Sequence, residues 1–269
     1  MNGRGTGGEG MNGQTAVRGA DVQGRIALFD SGAGGLALLA ECVRRFPCER
    51  YLYYGDNANA PYGGRAEGEI VRLASRAFDD VARTRPRACV LACNTVTAVC
   101  IDALRARSPF PVFGIEPALR PASAKGGRVL LLATRATLAS ARLQRLLRAA
   151  EGAGADVVCF CPSWLAGAVE SHLFDLSAVT AEGLPAGPFA AVVLGCTHYA
   201  LVREVIACRY GCPVFDGLAG TADHIGKELN ICSKKPQKGA ETDVIFAGSG
   251  KIVNEKAFFH LKNSTNICS

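Results

Sequence analysis

Short apolar runs without polar alternation recur along the chain, and most are followed by a stretch whose apolar residues return every three or four positions. The first run, Arg25-Ile-Ala-Leu-Phe-Asp30, stops at Ser31-Gly-Ala-Gly-Gly35 and gives way to a helical pattern through Leu36, Leu39, Ala40 and Val43. That order reads as strand, tight turn, helix. The unit recurs with strands over 51–54, 88–92 and 112–115 and helices over 67–82 and 95–105. It continues with strands over 128–132, 156–160 and 191–194 and helices over 136–150, 165–172 and 201–208. Strands alternating with helices in this way predict an α/β fold built on doubly wound, mainly parallel sheets, with helices on both faces.

Two of the strands repeat. Residues 88–93 (ACVLAC) parallel residues 191–196 (AVVLGC), and residues 25–30 (RIALFD) parallel residues 128–133 (RVLLLA), both at a spacing of 103 residues. A shared offset points to internal duplication and to two similar domains with a cleft between them. Ligands of such sheets bind outside the carboxyl ends of the strands, so Asp30, Cys93 and Cys196 are expected to face one cleft. The expected division is a first domain of 25–116 plus 223–269 and a second of 117–222. The first is discontinuous because a strand signal over 243–247 and a helix-like end have no slot in the second repeat. Residues 1–24 are Gly-rich with little to bury, and are expected to form a disordered extension.

Composition narrows the function classes. A chain of 269 residues with 49% hydrophobic and 20% charged content is globular, neither collagenous nor disordered. The net charge of +6 is mild and scattered, which gives no reason to expect a nucleic-acid partner and suits a small anionic substrate. Every Arg lies at or before Arg209 and seven of the eight Lys lie from Lys227 onward. Lys125 is then the lone lysine of the chain's body, in a turn-like Ala-Lys-Gly-Gly that is badly placed for a Schiff base. Twelve cysteines without a secretory signal pattern predict reduced thiols and a cytoplasmic protein. No apolar run reaches the length of a membrane span.

Most of these cysteines read as small buried hydrophobes. Cys93 and Cys196 differ, because each lies at a strand-to-helix turn where backbone N–H groups and the helix dipole favour a thiolate. Each is followed by hydrogen-bonding residues, Asn94-Thr95 and Thr197-His198. Two thiols presented by duplicated halves across a cleft suit action on opposite faces of one small molecule.

The segments 30–35 (DSGAGG), 55–63 (GDNANAPYG), 92–95 (ACNT) and 195–199 (GCTHY) together resemble the glutamate racemases, in that family's order and spacing, over about residues 25–262. The resemblance implies cofactor-independent interconversion of L- and D-glutamate, with D-glutamate supplied to peptidoglycan synthesis. It implies a two-base mechanism, Cys93 serving the D-glutamate side and Cys196 the L-glutamate side. Asp30 matches the aspartate near the first cysteine, and His198 and Glu170 match groups near the second, although Glu170 also reads as a helix-surface carboxylate. Substrate-binding positions carried over are Asp30, Ser31, Tyr62, Gly63, Asn94, Thr95, Thr197 and His198. Thr134 and Thr137 are further candidates, with helix capping as the plainer reading. Asn59 stands where the family often has arginine. A homodimer is the expected assembly, and substrate is expected to order the cleft.

Other readings compete. Gly32, Gly34 and Ala37 fit a G-x-G-x-x-A dinucleotide fingerprint with Asp56 about twenty residues on, as in an NAD-dependent dehydrogenase, but that leaves the paired cysteine motifs unexplained. Cys159 with Cys161, Cys208 with Cys212, and Cys196 with His198 are thiol-rich, yet none has the paired spacing of structural zinc, so no metal is expected. Aspartate racemases usually carry glutamate after the second Cys-Thr, where this chain has His198. A non-catalytic binding module would not need both cysteines.

Overall fold

The apolar runs become strands buried on both faces, as in β2 (Ile26–Asp30) and β4 (Ala88–Leu91). The computed structural model describes residues 14–15, 22–231, 242–249 and 254–263. In chain order the first half contains β1 (Gln14–Thr15), β2, α1 (Leu36–Arg45), β3 (Tyr51–Gly55), α2 (Glu67–Arg83), β4, α3 (Asn94–Arg107) and β5 (Val112–Gly114). The second contains α4 (Leu119–Ser123), β6 (Arg128–Ala133), α5 (Arg135–Ala139), α6 (Ala141–Gly152), β7 (Asp156–Phe160), α7 (Leu165–Ser171), β8 (Ala191–Gly195), α8 (Thr197–Leu201), α9 (Arg203–Tyr210) and β9 (Val214–Phe215). The chain continues through α10 (Leu218–Glu228), β10 (Val244–Ser249) and α11 (Asn254–Asn263).

One sheet has the order β1-β10-β3-β2-β4-β5 and the other β7-β6-β8-β9. All neighbours are parallel except β1 with β10. The duplication extends to register. Ile26 lies opposite Ala88 where β2 meets β4, and Val129 opposite Ala191 where β6 meets β8, both members shifted by 103 residues. Each sheet alternates its side chains between two cores. Ala27 and Phe29 pack with Ile70, Phe78 and Val96 of α2 and α3, while Ile26 and Leu28 share one cluster with Leu130 and Leu132 of β6. A continuous apolar layer therefore runs from one sheet to the other.

β10 lies beside β3 in the first sheet, and Arg25, 3% exposed, fastens its start by donating to the carboxylate and carbonyl of Asp243. α10 spans the boundary expected at 222 and 223 and packs on α1. Most of the expected disordered extension lies outside the described residues. Within it Gln14–Thr15 pairs with Gly248 and Ser249, a contact between segments that composition could not anticipate.

The helix expected over 136–150 is two helices. Ser140 is extended between them, and its Oγ accepts the Leu143 N–H at 3.1 Å, because a serine competes well as an N-cap. The helix expected over 201–208 is α9, two residues later in the chain; α8 precedes it as a separate helix, and α9 ends on left-handed Gly211. Among the described residues no helix is long and apolar enough to cross a membrane.

Candidate active site

Cys93 follows β4 and caps α3, and Cys196 follows β8 and caps α8, so the duplicated turn delivers one thiol from each half. Both are extended at the cap, with φ and ψ of −91° and 122° at Cys93 and −148° and 134° at Cys196. The residues are 5% and 6% exposed.

On the first side, Cys93 Sγ lies 3.3 Å from Ser31 Oγ. Burial, with Asp30 nearby, pushes the Cys93 thiol up to about 11, against opposing hydrogen bonds from Ser31 and the Val96 N–H. Asp30 ends β2 fully buried. Its Oδ1 accepts the Gly32 N–H at 2.8 Å and its Oδ2 accepts the Thr197 hydroxyl at 3.3 Å, a bond between the halves. Burial holds the Asp30 carboxyl above its ordinary pKa against the opposing pull of His198.

On the second side, His198 Nδ1 lies 3.7 Å from Cys196 Sγ and Nε2 lies 2.6 Å from Glu170 Oε1. Burial disfavours the imidazolium, yet the Cys196 sulfur and the Glu170 carboxylate outweigh it and hold His198 well above its ordinary pKa. Glu170 is lowered in turn, its burial overcome by His198 and by the Ala33 N–H, which it accepts at 2.9 Å. Glu170 is thus no plain surface carboxylate, since it joins α7 to the glycine turn of the other half.

The remaining sequence-derived candidates divide by what they touch. Thr95 Oγ1 lies 3.0 Å from Thr134 Oγ1 and 3.3 Å from Thr137 Oγ1, forming a buried hydroxyl cluster across the halves. Thr134 also caps α5 by accepting the Thr137 N–H, which is the plainer of its two readings. The Asn94 amide reaches the Ile115 carbonyl at 3.5 Å. The Tyr62 phenol donates to Asp56 and is 1% exposed. Gly63 accepts the Ala136 N–H at 3.1 Å, and a Cβ there would lie 2.5 Å from Thr134.

A cavity of about 220 Å³ lies between the halves, with Pro61, Gly63, Thr134, Arg135, Cys161 and Tyr199 in its wall. Arg135, Cys161 and Tyr199 were not candidates on sequence grounds. Arg135 donates to the Gly64 carbonyl, 71 residues away in the chain, and no local spacing announces such a contact.

The glycine turn has a use other than holding a dinucleotide. A Cβ on Gly32 would lie 2.2 Å from Glu170 Oε1, and one on Gly34 would lie 2.6 Å from His198 Nδ1. The Glu170 carboxylate and the His198 ring thus pack against this turn from the other half. Asp56, the acid that fingerprint would give to a ribose, is occupied by Asn59, Tyr62 and Ser249. Asn59, the departure from the family pattern, is thereby one of its partners.

Residues 31–225 match the family model of Asp/Glu/Hydantoin racemase. The chain is 34% identical over 214 residues to the glutamate racemase of Clostridium acetobutylicum, covering 76% of this chain and 84% of that one. It is 34% identical over 260 residues to the glutamate racemase of Leptospira interrogans, covering 91% and 97%. Among solved structures it resembles Escherichia coli glutamate racemase in complex with L-glutamate and the activator UDP-MurNAc-Ala, with a TM-score of 0.73, 27% identity and coverage of 88% and 92%.

Proposed function

The chain belongs to the glutamate racemases of the Asp/Glu/Hydantoin racemase family and is an isomerase; from that premise we propose that it interconverts L- and D-glutamate by passing protons between Cys93 and Cys196. The observation that carries this reading is the pair of buried thiols at equivalent helix N-caps of the two halves, each with its own hydrogen-bonding partner.

In the L-to-D direction, a Cys196 thiolate takes the α-proton of L-glutamate. The C–H bond breaks, an S–H bond forms, and the electron pair passes into the α-carboxylate as a planar intermediate. Cys93, a thiol, then gives its proton to the opposite face, leaving D-glutamate and a Cys93 thiolate. The reverse reaction starts from that state, and proton exchange with water resets the pair. An amino-acid α-proton is weakly acidic, so the barrier falls only if the developing charge meets preorganised donors in a water-poor site. Burial of both sulfurs and the His198 cation suit that requirement. Ser31, Tyr62, Gly63, Asn94, Thr95 and Thr197 are the proposed contacts to the two carboxylates and the ammonium, with Tyr62 offering its backbone because its hydroxyl is engaged. The proposal extends to a cytoplasmic homodimer supplying D-glutamate for peptidoglycan.

Incubation with L-glutamate in deuterated water tests it. Optical rotation is expected to decay to zero while deuterium enters the α-position of the D-glutamate formed. Undiminished rotation, or faster loss with aspartate than with glutamate, would overturn the assignment.

A further inference from the structure

Asp56 is left without a role by the chemistry above, and its surroundings are unusual. It follows β3, is 4% exposed, and donates its backbone N–H to the Asp30 carbonyl at 3.0 Å. Its carboxylate accepts from neutral groups: the Asn59 amide reaches Oδ1 at 3.0 Å and Oδ2 at 3.1 Å, the Tyr62 hydroxyl donates to Oδ2, and the Ser249 hydroxyl donates to Oδ1. A buried charge is expensive unless its acceptor sites are filled, and these are.

The partners trace a route from the end of the chain to the cavity. Ser249 closes β10, and its Oγ also accepts the Ala58 N–H at 3.2 Å. Asn254 at the start of α11, 1% exposed, exchanges amide hydrogen bonds with Asn57 at 2.8 and 3.1 Å. Tyr62 packs in one cluster with Cys93 and Val96. On either side of it, Pro61, Gly63 and Gly64 form part of the cavity wall. The second half meets this lip through hydrogen bonds from Ala136 to the Gly63 carbonyl and from Arg135 to the Gly64 carbonyl, and through the packing of Thr134 on Gly63, contacts that part if the halves separate. The bond from Tyr62 to Asp56 lies wholly within the first half and survives such an opening.

We propose that Asp56 is a positioning residue for this reaction: through the hydroxyl of Tyr62, which shares a cluster with Cys93, it holds the 61–64 lip of the cavity between the halves in place, and Ser249 of the returning C-terminal strand holds Asp56. The inference rests on the racemase reading for its kinetic consequence, but not for its structural one. A charge-assisted bond of this kind is about twice as strong as a neutral one and fixes direction as well as distance. Replacing the carboxylate by an amide puts an N–H where Asn59 or Tyr62 also presents a donor.

The test compares Asp56→Asn, Tyr62→Phe, the double variant and Ser249→Ala in two readouts. Amide exchange in the substrate-free protein should quicken over 60–64 in each, with the strands of the first sheet unchanged. In glutamate racemisation, Asp56→Asn and Tyr62→Phe should each raise KM on the order of tenfold while kcat moves less than about threefold. The double variant should be no worse than either single one, because both break the same link. Ser249→Ala should shift KM the same way by less. Additive effects, or KM within about twofold of the parent in both single variants, would overturn the relay. Should Asp56→Asn fail to fold, Tyr62→Phe and Ser249→Ala decide by the same criteria. A parent without glutamate racemase activity sinks the functional reading alone, and the exchange readout still decides the relay.

Discussion

The two halves share a backbone plan and differ in the company their cysteines keep. At Cys93 the partner is the neutral Ser31 hydroxyl, with the Asp30 carboxylate close by. At Cys196 it is the His198 imidazole, held cationic with the help of Glu170. Duplication therefore supplies the geometry twice, while a histidine in place of Thr95 within the turn and contacts outside it set the charge on each side. On the proposed mechanism the empty site holds a proton on Cys93 ready to deliver and a positive charge beside Cys196, which suits attack on L-glutamate. Enantiomers have equal free energy, so kcat/KM must be the same in both directions, and this asymmetry shows only in kcat and KM taken separately and in proton exchange.

The strongest way to break the comparison is to remove either thiol. Cys93→Ala and Cys196→Ala are each expected to lower racemisation on the order of 10⁴-fold or more, since no other acid or base serves that face. In deuterated water, Cys93→Ala should exchange the α-proton of L-glutamate only and Cys196→Ala that of D-glutamate only. Either variant racemising within about tenfold of the parent, with its fold intact, refutes two-thiol catalysis; exchange of the opposite enantiomers reverses the assignment of sides.

The partners come next. His198→Gln removes a charged partner and should cost on the order of 10²-fold in kcat/KM. Ser31→Ala removes one neutral hydrogen bond and should cost less than about tenfold. Equal losses would show that the two sides are not chemically distinct. Alkylation of the substrate-free protein, mapped by mass spectrometry, sharpens the same point. Labelling of Cys93 should rise about tenfold per pH unit toward its pKa of about 11.

The smallest effect is on stability. Glu170 has a lowered pKa, so its contribution is present above its unfolded pKa and is lost as pH falls through the folded value. His198 has a raised pKa, so its contribution is full below its unfolded pKa and fades as pH rises through the folded one. Between those limits Glu170→Gln should lower Tm by several degrees, about 2 kcal/mol for a buried charge-assisted bond. The difference from the parent should shrink at both ends of the pH range. A pH-independent difference would mean that Glu170 acts by packing alone. The Cys93 side titrates differently: because its thiol is raised above the ordinary value of 9.0, stability should fall as pH rises from 9 toward 11.

Apolar periodicity by itself determined eight strands to within a residue or two, though not the two-residue strands β1 and β9, together with the parallel α/β class and the equivalence of Cys93 and Cys196, because each depends on neighbours close in the chain or on a repeat that can be read off it. Local pattern was weaker where a single polar residue competed with it, as at Ser140, whose cap divides α5 from α6. The resemblance assigned different partners to the two sides, but their contacts and protonation lay beyond the sequence pattern. They depend on Glu170 reaching His198 across 28 residues, on Ser31 reaching Cys93 across 62, and on Thr197 reaching Asp30 across 167. Periodicity carries no information about such pairs, since burial and the distance between charges, which set a proton's affinity, exist only once the chain has folded.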